Sequence, residues 1–73
     1  MPRFYSTKQV AVMLGLDYPN LSRALWLERI HPMPMRGPSG SYLFVAEDVR
    51  TVGKTFYVPD VVVNKALEDD EDA

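Results

Sequence analysis

The feature that most constrains this chain is a glycine turn of about three residues between two segments with helical signals. Ser6 and Gln9 have the spacing of a capping box, in which each side chain bonds the other residue's backbone N–H. Apolar residues recur at helical spacing after this box, and Gly15 stands where a left-handed helix cap belongs. An aspartate N-cap and a proline in the first turn then open a second helix. The spacing therefore predicts a helix-turn-helix, with helices over residues 7–14 and 18–29.

The segment after these helices predicts a β-hairpin and a third short helix. Two prolines end the second helix, because each disfavours helix in the residue before it. Strands are predicted over residues 33–36 and 41–45, on either side of the glycine-bounded loop 37–40, since aromatic residues alternate with other side chains along the second strand. A third helix starts at Ala46 with acidic residues in its first turn, which favour the helix dipole. We expect this helix to end near Gly53.

Composition excludes several classes of function. The chain has no Cys, which rules out a disulfide scaffold and a thiolate metal site, and its single His cannot build a zinc site alone. No apolar stretch approaches the roughly 18 residues of a membrane span. We find no nucleophile elbow, glycine-rich phosphate loop or metal cluster, so we expect neither an enzyme nor a cofactor. No secretory pattern precedes the first polar residues, and we expect a cytoplasmic protein.

The net charge of −2 hides an uneven distribution of charge along the chain. Residues 68–72 are five consecutive acids, whereas residues 1–67 carry all eight lysines and arginines against five acids, a net charge of +3. The chain is therefore a mildly basic body followed by an acidic tail. Such end blocks are usually disordered, so we expect residues 68–73 to form a disordered tail that keeps the chain soluble or competes with phosphate for the basic surface.

Residues 54–67 form a C-terminal extension whose conformation the sequence leaves open. Residues 56–58 are typical of an extended segment, and a proline followed by Asp60 can open a last helix as far as Leu67. The three consecutive valines 61–63, however, are poor helix formers and are equally suited to a strand.

Two stretches resemble excisionase-type and MerR-type winged-helix DNA-binding proteins. The first is YSTKQVAVMLGL, residues 5–16, and the second is YLFVAEDV, residues 42–49, an aromatic strand leading into a helix that begins with Glu-Asp-Val. The likeness covers roughly residues 4–52. It implies an α+β fold: a winged helix-turn-helix domain over residues 1–53, built from two helices, a hairpin wing and a short third helix, followed by the extension and the tail.

The resemblance also implies a function and partners. It implies a sequence-specific protein that binds double-stranded DNA. Such a protein acts either as an excisionase, an architectural recombination directionality factor working with an integrase or other recombinase, or as a phage-type transcriptional regulator. Self-association on DNA is a further implication, and no membrane partner is expected.

The second helix is the expected recognition element. At about 100° per residue, Arg23 points about 200° away from the apolar Leu21 and therefore outward. A recognition helix presents its N-terminal residues to base edges in the major groove. We expect Arg23 and Asn20 to read bases, since each can form paired hydrogen bonds with a purine, and Ser22 to contact a base or phosphate. The alternative is an ordinary solvated helix face.

Three more residues are candidates for contacts with the DNA backbone. Thr7 and Lys8 begin the first helix, whose free amides and positive dipole suit a phosphate. Arg36 marks the wing and can enter a minor groove or meet a phosphate. For these residues, too, an ordinary surface position is the alternative.

Four apolar residues indicate a second kind of surface. Trp26 and Leu27 occupy positions of the second helix where winged helices of this type usually carry cations, and they make the helix apolar almost all round. We expect the C-terminal segment to fold back over them as a second small core. Alternatively, Trp26 is an anchor for a protein partner, as Trp often is at interfaces. The β-prone stretch containing Tyr57 and Val61 can pair with another chain. The alternative function is therefore a protein-interaction module that uses Trp26 and the C-terminal extension.

Overall fold

The structure, a computed structural model, describes residues 4–31 and 33–71, except for the side chains of residues 70 and 71. Residues 1–3 and 32 of the predicted winged-helix domain and residues 72–73 of the predicted tail lie outside the described residues. Within the described part, the fold is α+β, with four helices and one antiparallel hairpin. The elements are α1 (Thr7–Leu14), α2 (Tyr18–Trp26), β1 (Met35–Arg36), β2 (Tyr42–Leu43), α3 (Ala46–Thr55) and α4 (Asp60–Glu71). This order is consistent with a winged-helix layout.

The ends of α1 confirm the local sequence signals. The Gln9 backbone N–H donates to the Ser6 hydroxyl at 3.1 Å, and the Ser6 N–H donates to the Gln9 side-chain oxygen at 2.8 Å. At the other end Gly15 has a φ of +67°. The N–H of Leu16 then bonds the carbonyl of Ala11 at 2.8 Å, as in a Schellman motif.

The helices α2 and α3 end in the same motif without glycine. Glu28 (φ +55°) and Tyr57 (φ +59°) occupy the left-handed position. The Arg29 N–H bonds the carbonyl of Ala24 at 2.9 Å, and an equivalent bond of 2.7 Å closes α3. The predicted end of α2 at residue 29 is therefore wrong, because the chain turns at Glu28 and brings Ile30 into the core, where it is fully buried.

The boundaries around the end of α3 also need correction. We predicted an end near Gly53 and an extended segment at 56–58, but α3 continues to Thr55 and residues 56–57 form its closing turn. Gly53 is a close-packing position inside the helix. A Cβ at Gly53 would lie only 2.6 Å from Cγ2 of Val63, so the missing side chain lets α3 and α4 approach each other.

The hairpin is shorter than the sequence predicts. Only Met35 and Arg36 pair with β2, in a register that places Arg36 opposite Tyr42. A proline at position 34 supplies no N–H to extend the first strand. After β2 the chain changes partner, because Phe44 exchanges two backbone hydrogen bonds of 2.8 and 2.9 Å with Tyr5. This bridge holds the start of the chain against the exit of the hairpin.

The C-terminal segment is a helix that completes the core. Val63 and Leu67 lie one helical turn apart on α4, and both are buried together with side chains of α1, α2 and α3. This packing overrides the low helix propensity of the valines. The segment folds back as expected, but it packs on α1 and α3 rather than on Trp26, which stays 80% exposed. The expected second core over Trp26 is therefore wrong.

The acidic residues 68–71 are also helical. We expected disorder from residue 68, whereas α4 continues to Glu71. Leu67 fixes the preceding turn in the core, and each further residue of an existing helix adds one backbone hydrogen bond. No helix within the described residues combines the length and apolar character needed to cross a bilayer.

Candidate nucleic-acid interface

The outer side of α2 is exposed. The helix buries Leu21, Ala24 and Leu25 and exposes Arg23 and Trp26. This confirms the predicted orientation, since Arg23 lies away from the buried leucines. Nothing in the described residues covers the middle of this face, so it is free to contact a partner.

A groove runs between α2 and the hairpin, and we call it the wing groove. It consists of two adjoining depressions of about 360 and 380 Å³, which share Leu25 and Tyr42 as lining residues. One wall is the row Tyr18, Ser22 and Trp26 of α2, and the other is the hairpin. The lining side chains used below are Thr7, Lys8, Tyr18, Ser22, Trp26, Arg36, Ser41 and Tyr42.

The start of α1 forms one end of the wing groove. Thr7 and Lys8 line it together with Ser22 of α2 and Ser41 of the hairpin. Three predicted DNA contacts are therefore brought together in one depression. The start of a helix, with its unpaired amides, is chemically suited to phosphate oxygens. The neighbouring hydroxyl groups of Ser22 and Ser41 and the ammonium group of Lys8 suit them as well.

The hairpin side of the wing groove is organised by one cation and one aromatic ring. The Arg36 guanidinium lies 4.9 Å from the centre of the Tyr42 ring. Its Nη2 also donates a hydrogen bond of 3.3 Å to the Tyr42 hydroxyl. Because the two residues are directly opposite in the strand register, the ring limits the positions that this exposed arginine can adopt. Arg36 lines the same depression as Trp26.

The two residues expected to read bases lie on the other flank of α2. Asn20 and Arg23 line a separate depression of about 300 Å³, together with Leu27, Arg29 and Phe56. The Asn20 side chain donates to the carboxylate of Asp17 at 3.4 Å. The six predicted DNA contacts are therefore divided. Thr7, Lys8, Ser22 and Arg36 line the wing groove, whereas Asn20 and Arg23 lie around the helix from it.

The four residues expected to contact proteins lie in several places. Trp26 lies in the wing groove and Leu27 in the depression beside Arg23. Tyr57 is 92% exposed in the turn after α3, and Val61 is 73% exposed on α4. Neither Tyr57 nor Val61 lines the wing groove or the depression beside Arg23. The four residues therefore do not share one depression, and their roles as protein contacts stay predictions.

Charge is divided between the two halves of the fold. Residues 4–45, which form α1, α2 and the hairpin, contain four lysines and arginines against two acids. Residues 46–71, which form α3 and α4, contain three against seven. On the acidic side, Arg50 donates a hydrogen bond to Asn64, which joins α3 to α4. The candidate interface is thus the basic side of an overall acidic protein.

Four lining residues, Tyr18, Arg29, Ser41 and Tyr42, are not among the predicted site residues. Tyr18 is four residues before Ser22 and eight before Trp26, a spacing that indicates one helix face and was available in the sequence. Tyr42 could be placed opposite Arg36 only with the strand register. Arg29 was assigned to the helix itself, whereas it follows the turn at Glu28.

Comparison of the chain with protein-family models, curated proteins and solved structures gives no match. The resemblance to excisionase-type winged helices therefore stays a prediction that depends on the quoted residues. Within the described part of the chain, no group of three or more acidic or histidine side chains is arranged to hold a metal ion.

Proposed function

We propose that this protein binds double-stranded DNA as a small winged helix, with α2 as its recognition helix. The observation that carries the proposal is the wing groove, in which the start of α1, the exposed face of α2 and a cation on the hairpin border one surface. These are the three elements that a winged helix places against a duplex. The surplus of cations on this side of the fold supports the same assignment, because phosphate attraction dominates affinity for DNA.

In the proposed complex, α2 enters the major groove with its exposed face toward the base edges. Lys8 and the amides at the start of α1 contact one phosphate strand, and Arg36 contacts the strand on the wing side. Arg23 reaches the bases from the flank of α2. The resemblance further supports an architectural role beside a recombinase, or a role in transcription, for the same DNA contact.

Fluorescence anisotropy with a random-sequence duplex, over salt concentrations from about 50 to about 200 mM, tests this proposal. We expect affinity that falls steeply with salt and is lowered by Arg23→Ala. The matched control is Arg50→Ala, which removes an exposed arginine from the acidic side of the fold and is expected to bind as the wild type does. Absence of binding at the lowest salt, or equal losses in both variants, would refute the proposal.

A protein-interaction module on the same scaffold is the second candidate. It is favoured by the exposure of Trp26 and Tyr57, which are two of the largest apolar side chains and are 80% and 92% exposed. Burial of a tryptophan is a common anchor of protein interfaces. This function predicts a partner whose affinity is lost in Trp26→Ala and changes little with salt. DNA binding instead predicts an affinity that falls steeply as salt is added.

A further inference from the structure

Trp26 lies in the middle of the face that α2 presents outward. On a helical projection it falls between Ser22, about 40° away, and Arg23, about 60° away. Its side chain is 80% exposed. Trp26 is also the last residue of α2. A duplex that receives the full length of this face in its major groove therefore meets the indole between the serine hydroxyl and the guanidinium.

Two exposed arginines lie near Trp26 and suit a polyanionic partner. Arg36 lines the same depression, and Arg23 lies one turn earlier on the exposed face. Glu28 is the one acid among the residues that line this depression. The depression is also lined by Leu25, Met33 and Pro34. The choice of a nucleic acid therefore rests on the two exposed arginines, which suit a polyanion, and on the proposed function.

The chemistry of the indole restricts what it can recognise in a major groove. Indole has one N–H donor, at Nε1, and a large apolar ring. Base edges in the major groove display hydrogen-bonding groups and one apolar group, which is the 5-methyl group of thymine. Among these groups, the 5-methyl group is the only one with which the apolar ring of Trp26 makes a favourable apolar contact.

We infer that Trp26 is a specificity-determining residue that contacts the 5-methyl group of a pyrimidine in the major groove. This inference rests on the proposed function, and it names the feature of DNA that the same surface selects. It predicts a preference for thymine over uracil in otherwise identical duplexes. It also predicts a preference for 5-methylcytosine over cytosine, because both modifications place the same methyl group at the same edge.

The experiment compares two matched pairs of duplexes by fluorescence anisotropy. One pair is an alternating A·T duplex with thymine or with uracil, and the other is an alternating G·C duplex with 5-methylcytosine or with cytosine. We expect the wild type to bind the methylated member of each pair about fourfold more tightly for each methyl group contacted. Trp26→Ala is expected to bind both members equally.

The controls separate the indole from general effects. Tyr57→Ala removes an aromatic side chain that is also exposed but lies outside the wing groove, and it is expected to keep the wild-type preference. Trp26→Gln, a polar replacement of similar length, is expected to lose it. Thermal melting of each variant checks folding, which we expect to be unchanged because position 26 is exposed.

Each outcome decides a different point. Equal binding of methylated and unmethylated duplexes by the wild type would overturn this inference and leave the proposed function intact. If Trp26→Ala keeps the preference for methylated duplexes, another residue contacts the methyl group. If Trp26→Ala loses affinity equally for all four duplexes, Trp26 contacts the DNA backbone. A wild type that binds none of the duplexes would remove the proposed function together with this inference.

Discussion

The close approach of α3 and α4 at Gly53 gives a prediction whose size follows from the geometry. In Gly53→Ala the new Cβ would lie 2.6 Å from Cγ2 of Val63, whereas carbon atoms in contact are about 3.5–4.0 Å apart. The structure must therefore yield by about 1 Å. Val63 is 2% exposed, and a valine within a helix has one strongly preferred rotamer, so its side chain cannot turn away.

Two opposing terms set the free energy of unfolding of Gly53→Ala. Replacing glycine within a helix contributes about 1 kcal/mol of helix propensity. Overpacking a core costs about 1–3 kcal/mol. Because a contact of 2.6 Å is a severe overlap, we place the cost of Gly53→Ala at the upper end of this range. We expect a net loss of about 2 kcal/mol, which lowers the melting temperature by roughly 8–16 °C in a domain of this size.

A double-mutant cycle with Val63→Ala tests the cause of that loss. Thermal and urea unfolding, followed by circular dichroism, give the stability of the wild type, the two single variants and the double variant. Removing the valine methyl groups makes room, so in the Val63→Ala background Gly53→Ala should be neutral or should stabilise by up to about 1 kcal/mol. The reasoning is wrong if Gly53→Ala matches the wild type in stability, or if the two losses simply add.

Three further predictions concern helix ends and charge. Tyr57→Gly should stabilise the protein by about 0.5–1 kcal/mol, measured by urea unfolding, because a left-handed residue other than glycine costs about 1–2 kcal/mol; an unchanged midpoint would contradict the left-handed φ. Ser6→Ala should destabilise by about 0.5–2 kcal/mol through loss of the capping box, with Ser39→Ala in the hairpin loop as a near-neutral control. Lys8→Gln should reduce the slope of log affinity against log salt by about 0.9, if Lys8 neutralises one phosphate, whereas Lys65→Gln on α4 should not.

Local signals predicted α1 well, since the interactions involved span only a few residues. The capping box at Ser6 and the glycine turn at Gly15 are such interactions, and both bounds of α1 are confirmed. The ends of α2 and α3 carried no comparable signal, because Glu28 and Tyr57 occupy positions where glycine is the usual indicator. Their left-handed conformations depend on how the chain re-enters the core.

The conformation of the C-terminal segment could not be decided from its own residues. Three consecutive valines suit a strand, and the helix forms because one of them, Val63, packs against the bare backbone at Gly53. That contact joins positions ten residues apart. The glycine was interpreted as a helix end, whereas its role is visible only when α4 is in place.

Only those features of the candidate site that depend on local helix geometry could be predicted from the sequence. The sequence identified Arg23 as exposed, because helix periodicity gives the direction of each side chain. It could not show that Asn20 and Arg23 lie around the helix from Lys8 and Arg36, since that depends on how α2 is rotated against α1 and the hairpin. The pairing of Arg36 with Tyr42 likewise required the strand register.

The division of charge between the two halves of the fold has a consequence for how this protein meets a partner. With its overall charge of −2, the protein as a whole is repelled by a distant polyanion. At closer range the basic side is attracted and the acidic helix α4 is pushed away, which turns the molecule before contact. Encounters in which α2 leads are thereby selected during diffusion. The acidic residues of α4 thereby help to orient the molecule in the field of the polyanion. Added salt weakens both the repulsion and this alignment.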